Sequence, residues 1–243
     1  MADHSERERI EATYLRYDES GKNERYGLAN AGIREATAER WRAWQDAWER
    51  SDAAPQGPVV EIGVGTGANI ADLGGFAGSR KIVGLDLSWS RLGYAAAHTS
   101  GGALVRADGA ALPLRRGGAG AVVLSTLFSS VLDSVVAMAV AKEADRVLAP
   151  GGLVLWYDLR VPNPGNREVR AVPRRRIADF FPGYRVDLCS VTLIPGVARF
   201  LGRRAPGWTP SMYRALASVP PLRTHLAGAL AKPLPPGGAP SCA

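Results

Sequence analysis

Five short apolar runs recur between residues 58 and 159, each followed by a turn or a helical stretch. They are PVVEIGV (58–64), KIVGLDL (81–87), ALVRAD (103–108), AVVLSTL (121–127) and GLVLWYDL (152–159). Short runs rich in Val, Ile and Leu, spaced widely enough for crossovers, predict parallel strands buried on both faces. Right-handed crossovers then favour a doubly wound α/β sheet covered by helices on both sides.

The flanks read differently. Residues 5–17 predict a helix, with Ser5 and Glu8 spaced as a capping box before Ile10, Tyr14 and Tyr17. A polar loop (18–27) separates it from a second helix over 28–50, in which Trp41, Trp44 and Trp48 share one face. Such a stripe packs against a core more often than it walls a ligand. Beyond the fourth run, 134–148 and 174–181 predict helices and 184–195 a strand. Residues 196–221, broken by Pro and Gly, are helical in part. For 224–232 the periodicity fits a strand or a helix, and PLPPGGAPSCA (233–243) reads as a disordered tail. The expected organisation is a helical cap (1–56), a main domain (57–232) with a helical insertion at about 196–221, and the tail (233–243).

With 46% hydrophobic and 22% charged residues over 243 positions, the chain reads as globular. Its apolar stretches all break before the roughly 18 residues of a transmembrane span. The charged N-terminus lacks the apolar core of a secretory signal. Two cysteines, Cys189 and Cys242, exclude a disulfide scaffold and a cysteine zinc site and suit a reducing cytoplasm. Residues 160–243 hold 13 Lys/Arg against 3 Asp/Glu. That excess suits an anionic partner, although only four of the 30 basic residues are lysine, which equally reflects arginine as the default surface cation.

The segment Glu61-Ile-Gly63-Val-Gly65-Thr-Gly67-Ala68 follows the first strand. Glycines serve where a strand turns sharply into a helix and backbone must approach a ligand, and the following helix N-terminus offers free N–H groups. Two patterns fit. Gly63, Gly65 and Ala68 satisfy the dinucleotide pattern G-x-G-x-x-G/A, with Asp86 for ribose hydroxyls. The alternative is E/D-x-G-x-G-x-G, which Glu61, Gly63, Gly65 and Gly67 complete.

That second pattern resembles the first motif of the class I S-adenosylmethionine (SAM) methyltransferases. GLDLS (84–88) resembles their second-strand motif, ADGAALPL (107–114) the third, and RVLAPGGLVLWYD (146–158) the L-x-P-G-G turn into the fifth strand. The order and spacing match over roughly 57–160. STLFSSVLD (125–133), residues 156–182, PPLRTHLAGALAKP (220–233) and ERYGLANAG (24–32) also look like a bacterial subfamily accompanying polysaccharide or natural-product biosynthesis. The resemblance implies a Rossmann-like, seven-stranded, mostly parallel sheet with the last strand antiparallel. Its strands would be the five above, 184–195 and 224–232, under an N-terminal helical cap that, with 196–221, covers the acceptor pocket.

It further implies that Glu61, Gly63, Gly65 and Gly67 face the methionyl part of SAM. Asp86, with Leu87 beside it, accepts from the ribose hydroxyls. Asp108, with Gly109 and Ala110, meets the adenine, and Ser125 ends the fourth strand at the ligand edge. Each polar assignment has a plainer reading, Asp86 or Asp108 as a cap and Ser125 as a locally bonded serine. Candidate catalytic groups are Asp158 at the end of the fifth strand, His225 as a base, and Tyr26 as a lid residue. His4 and His98 fall on a terminus and a scaffold helix. Arg174–Arg176 suit an anionic substrate or a solvated helix face. No metal is needed.

The expected function is methyl transfer to oxygen or nitrogen of a small-molecule acceptor, with S-adenosylhomocysteine as product, by a cytoplasmic monomer or homodimer. A nucleic-acid methyltransferase is disfavoured because the fourth strand ends LSTLF rather than N/D-P-P-Y/F. An NAD-dependent oxidoreductase leaves Asp108 and the APGG turn unexplained. A SAM-binding subunit without turnover remains open.

Overall fold

The computed structural model describes residues 2–21, 27–51, 56–78 and 80–235, with side chains from Ser5 onward. Seven strands form one sheet in the order β3-β2-β1-β4-β5-β7-β6. They are β1 (Val59–Ile62), β2 (Ile82–Asp86), β3 (Ala103–Arg106), β4 (Ala119–Ser125), β5 (Leu148–Leu159), β6 (Arg185–Leu193) and β7 (Arg223–Ala231). The first five pair in parallel, while β7 runs antiparallel between β5 and β6. All of β1, and all of β4 but its last residue, is buried, as strands covered on both faces must be. The segment 224–232, readable as strand or helix, is therefore an interior strand.

Eight helices cover the sheet: α1 (Ala2–Glu19), α2 (Ala31–Glu49), α3 (Ile70–Ala77), α4 (Trp89–His98), α5 (Ser134–Val147), α6 (Arg174–Phe180), α7 (Pro195–Arg204) and α8 (Thr209–Ala217). Val136, Val140, Ala144 and Val147 line one face of α5 and enter a core with Ile62, Leu124, Trp156 and Phe128. On the opposite face, Trp44, Ala47, Ile70, Leu73 and Leu92 pack on Val59, Val123 and Leu155. The tryptophan stripe of α2 belongs to this second core. Trp44 is fully buried and its indole N–H donates to the Trp156 carbonyl at 2.8 Å, while Trp41 and Trp48 close on Phe76. The stripe is packing, not a ligand wall.

Two expectations are corrected. Ser5 and Glu8 lie within α1, which begins at Ala2, so they form no cap at its start. The 196–221 insertion does not cover the cleft. Its α7 and α8 pack through Ala198, Leu201, Tyr213 and Ala217 on Ala36 and Leu193. Glycines allow that crossing. A Cβ on Gly32 would sit 1.8 Å from the Ala198 carbonyl oxygen, and one on Gly202 would sit 2.2 Å from Asn30 Oδ1. The same Asn30 caps α2, accepting from the amides of Gly32 and Ile33.

Candidate active site

Sheet order reverses between β1 and β4, and in open α/β sheets that is where the carboxyl ends of strands leave a crevice. A cavity of about 300 Å3 opens there. The loop leaving β1 builds one wall. Gly63 and Gly67 have φ of +77° and +79°. A Cβ on Gly67 would come within 2.8 Å of Thr99 and 3.0 Å of Ala95 on α4. The backbone thus turns where a side chain could follow only with strain.

Asp86 ends β2 and ties this loop down. Its Oδ2 accepts from the Gly65 amide at 2.7 Å and its Oδ1 from the Ser88 amide at 2.9 Å. Burial raises its pKa, while those amides and Arg91 pull it back. Ser88, not Asp86, is the side-chain cap of α4. A carboxylate oxygen has more than one acceptor site, so one held by a single amide can still meet a hydroxyl.

Glu61 is 1% exposed at the base of the cavity. Its Oε1 accepts from Asn69 Nδ2 at 2.6 Å, and its Oε2 has no partner. Burial pushes its pKa up to about 7, against Asn69 and Arg40, which lower it. Arg40 of α2 completes the chain, its guanidinium donating to Asn69 Oδ1 at 2.7 Å.

Asp108 lies at the other end. Its Oδ1 accepts from the Ala110 amide at 2.9 Å, closing a tight turn, and its Oδ2 pairs with Arg7 of α1. Asp108 therefore caps its own turn and binds a cation from α1, a partner that its expected role beside an adenine did not include. Gly109 packs under the cavity on Ile62 and Val140. Ser125 lines the cavity at the end of β4. Thr126, which follows, has φ of +52°, an uncommon conformation for a residue with a branched Cβ.

Of the sequence-derived cofactor residues, Glu61, Gly63, Gly65, Asp86, Leu87, Asp108, Gly109 and Ser125 line the cavity together. Gly67 and Ala110 shape its turns from just behind. Two of the proposed catalytic groups, Asp158 and His225, are not among the described residues that line it. Asp158 is 1% exposed and accepts from the Ser129 amide (3.0 Å) and the Leu159 amide (2.7 Å). Burial pushes its pKa up to about 6. It pins the loop after β4 to β5, away from the cavity lining. His225 is buried, stacks on Tyr157 at 4.7 Å and pairs through Nδ1 with Thr224 Oγ1. Burial, aided by Arg40, pushes its pKa down to about 3, and it is not among the residues that line the cavity. Tyr26 lies outside the described residues. Arg174 donates to the Leu188 carbonyl and Arg176 lies over Phe180, both away from the cleft.

Among the lining residues that sequence reasoning missed are Arg7, Ile10, Tyr14 and Tyr17 of α1, Arg40 of α2, and Asn69, Arg91, Thr126 and Ser130. The apolar spacing of α1 marked its inner face, and the expected N-terminal cap put that helix over the pocket without naming the residues that line it. For Arg40 the usable signal was its i, i+4 relation to Trp44, which puts it on the buried side of α2.

Residues 59–152 match the model of a methyltransferase domain. No curated protein matches the chain. A SAM-dependent methyltransferase of Thermotoga maritima is similar in fold at a TM-score of 0.57 and 18% identity, over 89% of this chain and 97% of its own. The chain in complex with the Haloferax volcanii Trm112 methyltransferase activator is similar at 0.56 and 19%, over 80% and 90%. A [4+2]-cyclase, SpnF, is similar at 0.56 and 16%, over 79% and 81%. Residues 59–152 thus match a methyltransferase-domain model, on a fold shared with SAM-dependent methyltransferases.

Proposed function

We propose that this protein transfers a methyl group from SAM to an oxygen or nitrogen of a small-molecule acceptor. The observation that carries the reading is the cavity at the β1/β4 reversal, which brings the glycine loop, Asp86 and Ser125 onto one wall. Its size is at the lower end of small-molecule sites. The residues fit the cofactor: Gly63 and Gly65 line the cavity with positive φ, and Glu61 Oε2 is a buried acceptor with no partner among the described residues. Asp86 would hold the ribose hydroxyls, Asp108 and Gly109 the adenine end, and Glu61 with the glycine loop the methionyl end. When bound, SAM would supply a methyl group activated by its sulfonium sulfur, with S-adenosylhomocysteine as the leaving group of an in-line displacement.

The chain's own work is alignment. Fixing nucleophile and methyl group in line supplies much of such an acceleration. Ser125, strained Thr126 and Ser130 border the cavity at the end of β4, where an acceptor would enter. Asp158 holds the backbone of that stretch through Ser129. With His225 stacked on Tyr157 and absent from the cavity lining, the reading favours an acceptor that needs no help from that histidine, such as a neutral amine or an acidic hydroxyl. The subfamily resemblance favours a cytoplasmic tailoring role in natural-product or polysaccharide biosynthesis.

Thermal melting with SAM, S-adenosylhomocysteine, NADH or NADPH added separately tests the cofactor half. A ligand at about 100 times its Kd adds about 2.7 kcal/mol of stability. A shift with the first two only, lost in Asp86→Ala, is expected, and a shift with the nicotinamides instead would overturn the reading. Detection of methylated product from an acceptor panel tests the transfer, because the same fold occurs in the [4+2]-cyclase.

A further inference from the structure

We infer that Arg40, reaching into the cavity from α2, is the cation that holds the carboxylate of the cofactor's methionyl end. The inference rests on SAM being the bound cofactor. Arg40 lies outside the segment that the methyltransferase-domain model covers, so nothing in that match assigns it a role.

Arg40 is half-buried and lines the cavity. Three aromatic rings surround its guanidinium, those of Trp41 at 5.8 Å and of Trp44 and Tyr157 at 5.1 Å each. Its one neutral partner is Asn69 Oδ1, and its Nε is buried with no acceptor. Among the described residues no carboxylate lies within ion-pair distance of it. A cation desolvated by aromatic walls is costly without an anion, and the usual resolution is pairing. Burial lowers the Arg40 pKa, against Tyr157, Glu61 and Asp72, which raise it.

The geometry narrows what that anion is. Asn69 links Arg40 to Glu61, at the mouth of the glycine loop. The opposite end of the cavity holds Asp86 and Asp108, the groups suited to ribose and adenine. A ligand with its nucleoside on Asp86 and Asp108 presents its amino-acid end to Glu61 and Arg40. The guanidinium fork matches a carboxylate in two parallel hydrogen bonds, which a lysine ammonium cannot reproduce. Glu61 Oε2, the orphan acceptor beside it, faces the same end and suits the neighbouring ammonium. Arg40 and Glu61 then form a polar clamp of opposite signs for a zwitterion.

The test compares SAM with decarboxylated SAM, which lacks only the carboxylate, by equilibrium dialysis on the full chain without acceptor. Wild-type protein should prefer SAM by on the order of 10- to 100-fold, as for hydrogen bonds to a charged group. Arg40→Met should lose that factor for SAM and bind decarboxylated SAM within about twofold of wild type, as a double-mutant cycle requires. Arg40→Lys should recover part of the preference. Unchanged decarboxylated-SAM binding also shows that the variant is folded. Equal loss of both ligands, or unchanged SAM binding in Arg40→Met, would overturn the inference. Wild-type protein binding neither ligand would instead overturn the cofactor reading on which it stands.

Discussion

Replacing Glu61 by Gln should change how stability depends on pH. The Glu61 carboxyl is 1% exposed, one oxygen is held by Asn69 and the other has no partner. Burial raises its pKa from 4.5 to about 7. An acid with a raised folded pKa keeps its proton in the folded state after the unfolded chain has lost it. Its stabilising contribution is therefore full below pH 4.5 and is lost as pH rises to about 7. At about 1.4 kcal/mol per pKa unit, the loss is roughly 3 kcal/mol. Asp158, raised to about 6, contributes in the same direction over a more acidic window. Urea denaturation of ligand-free protein at half-unit pH steps from 4.5 to 8 separates the two. The difference between wild type and Glu61→Gln should open between pH 4.5 and 7, leaving the variant the more stable protein at pH 8. Parallel curves for the two proteins across that window would refute the reasoning, because they would mean that Glu61 is ionised at no cost in the folded state.

Other outcomes follow from the same geometry. Asp86→Asn should weaken SAM binding by on the order of 10-fold, since an amide cannot accept on both sides as the carboxylate does; calorimetric titration measures it. Gly67→Ala puts a Cβ 2.8 Å from Thr99 at a φ of +79°, and should cost about 1–3 kcal/mol of stability by chemical denaturation. Gly32→Ala drives a Cβ into the Ala198 carbonyl, and its melting temperature should fall further than that of Gly74→Ala, where a Cβ meets nothing. Because α1 lines the cavity and Arg7 is paired with Asp108, α1 amides should gain hydrogen-exchange protection when S-adenosylhomocysteine is added. Identical exchange with and without ligand would show that α1 does not respond to the cofactor.

β1, β2, β4 and β5 were legible in the sequence because burial leaves Val, Ile and Leu runs, whereas the edge strand β3 is largely exposed and was marked by its short apolar run alone. Asp86 was legible because it ends the second of those runs. The last strand was not, since THLAGALAK mixes Ala and Gly without a clear period, and its identity comes from pairing with β5 and β6. Asp158 and His225 look catalytic in one dimension because they are titratable and fall near strand ends. Whether such a group faces the cleft or the interior depends on side-chain direction, and both face inward. Arg40 was hidden for the opposite reason. An arginine in a charged helix reads as a solvated residue unless its place one turn before the buried Trp44 is weighed, and the packing of α2 on the sheet turns it to the cavity.

The position of β7 sets an order for assembly of the molecule. β6 is made before β7 yet touches the rest of the sheet only through it. During synthesis, residues 185–193 must therefore wait without a strand partner until residues 223–231 leave the ribosome. Until then β5 presents an open edge, the kind of surface on which nascent chains misassociate. The methyltransferase-domain segment is complete some 70 residues earlier. The half that holds the glycine loop and Asp86 can thus collapse first, and closure of the far side becomes a late, non-local and therefore slow event.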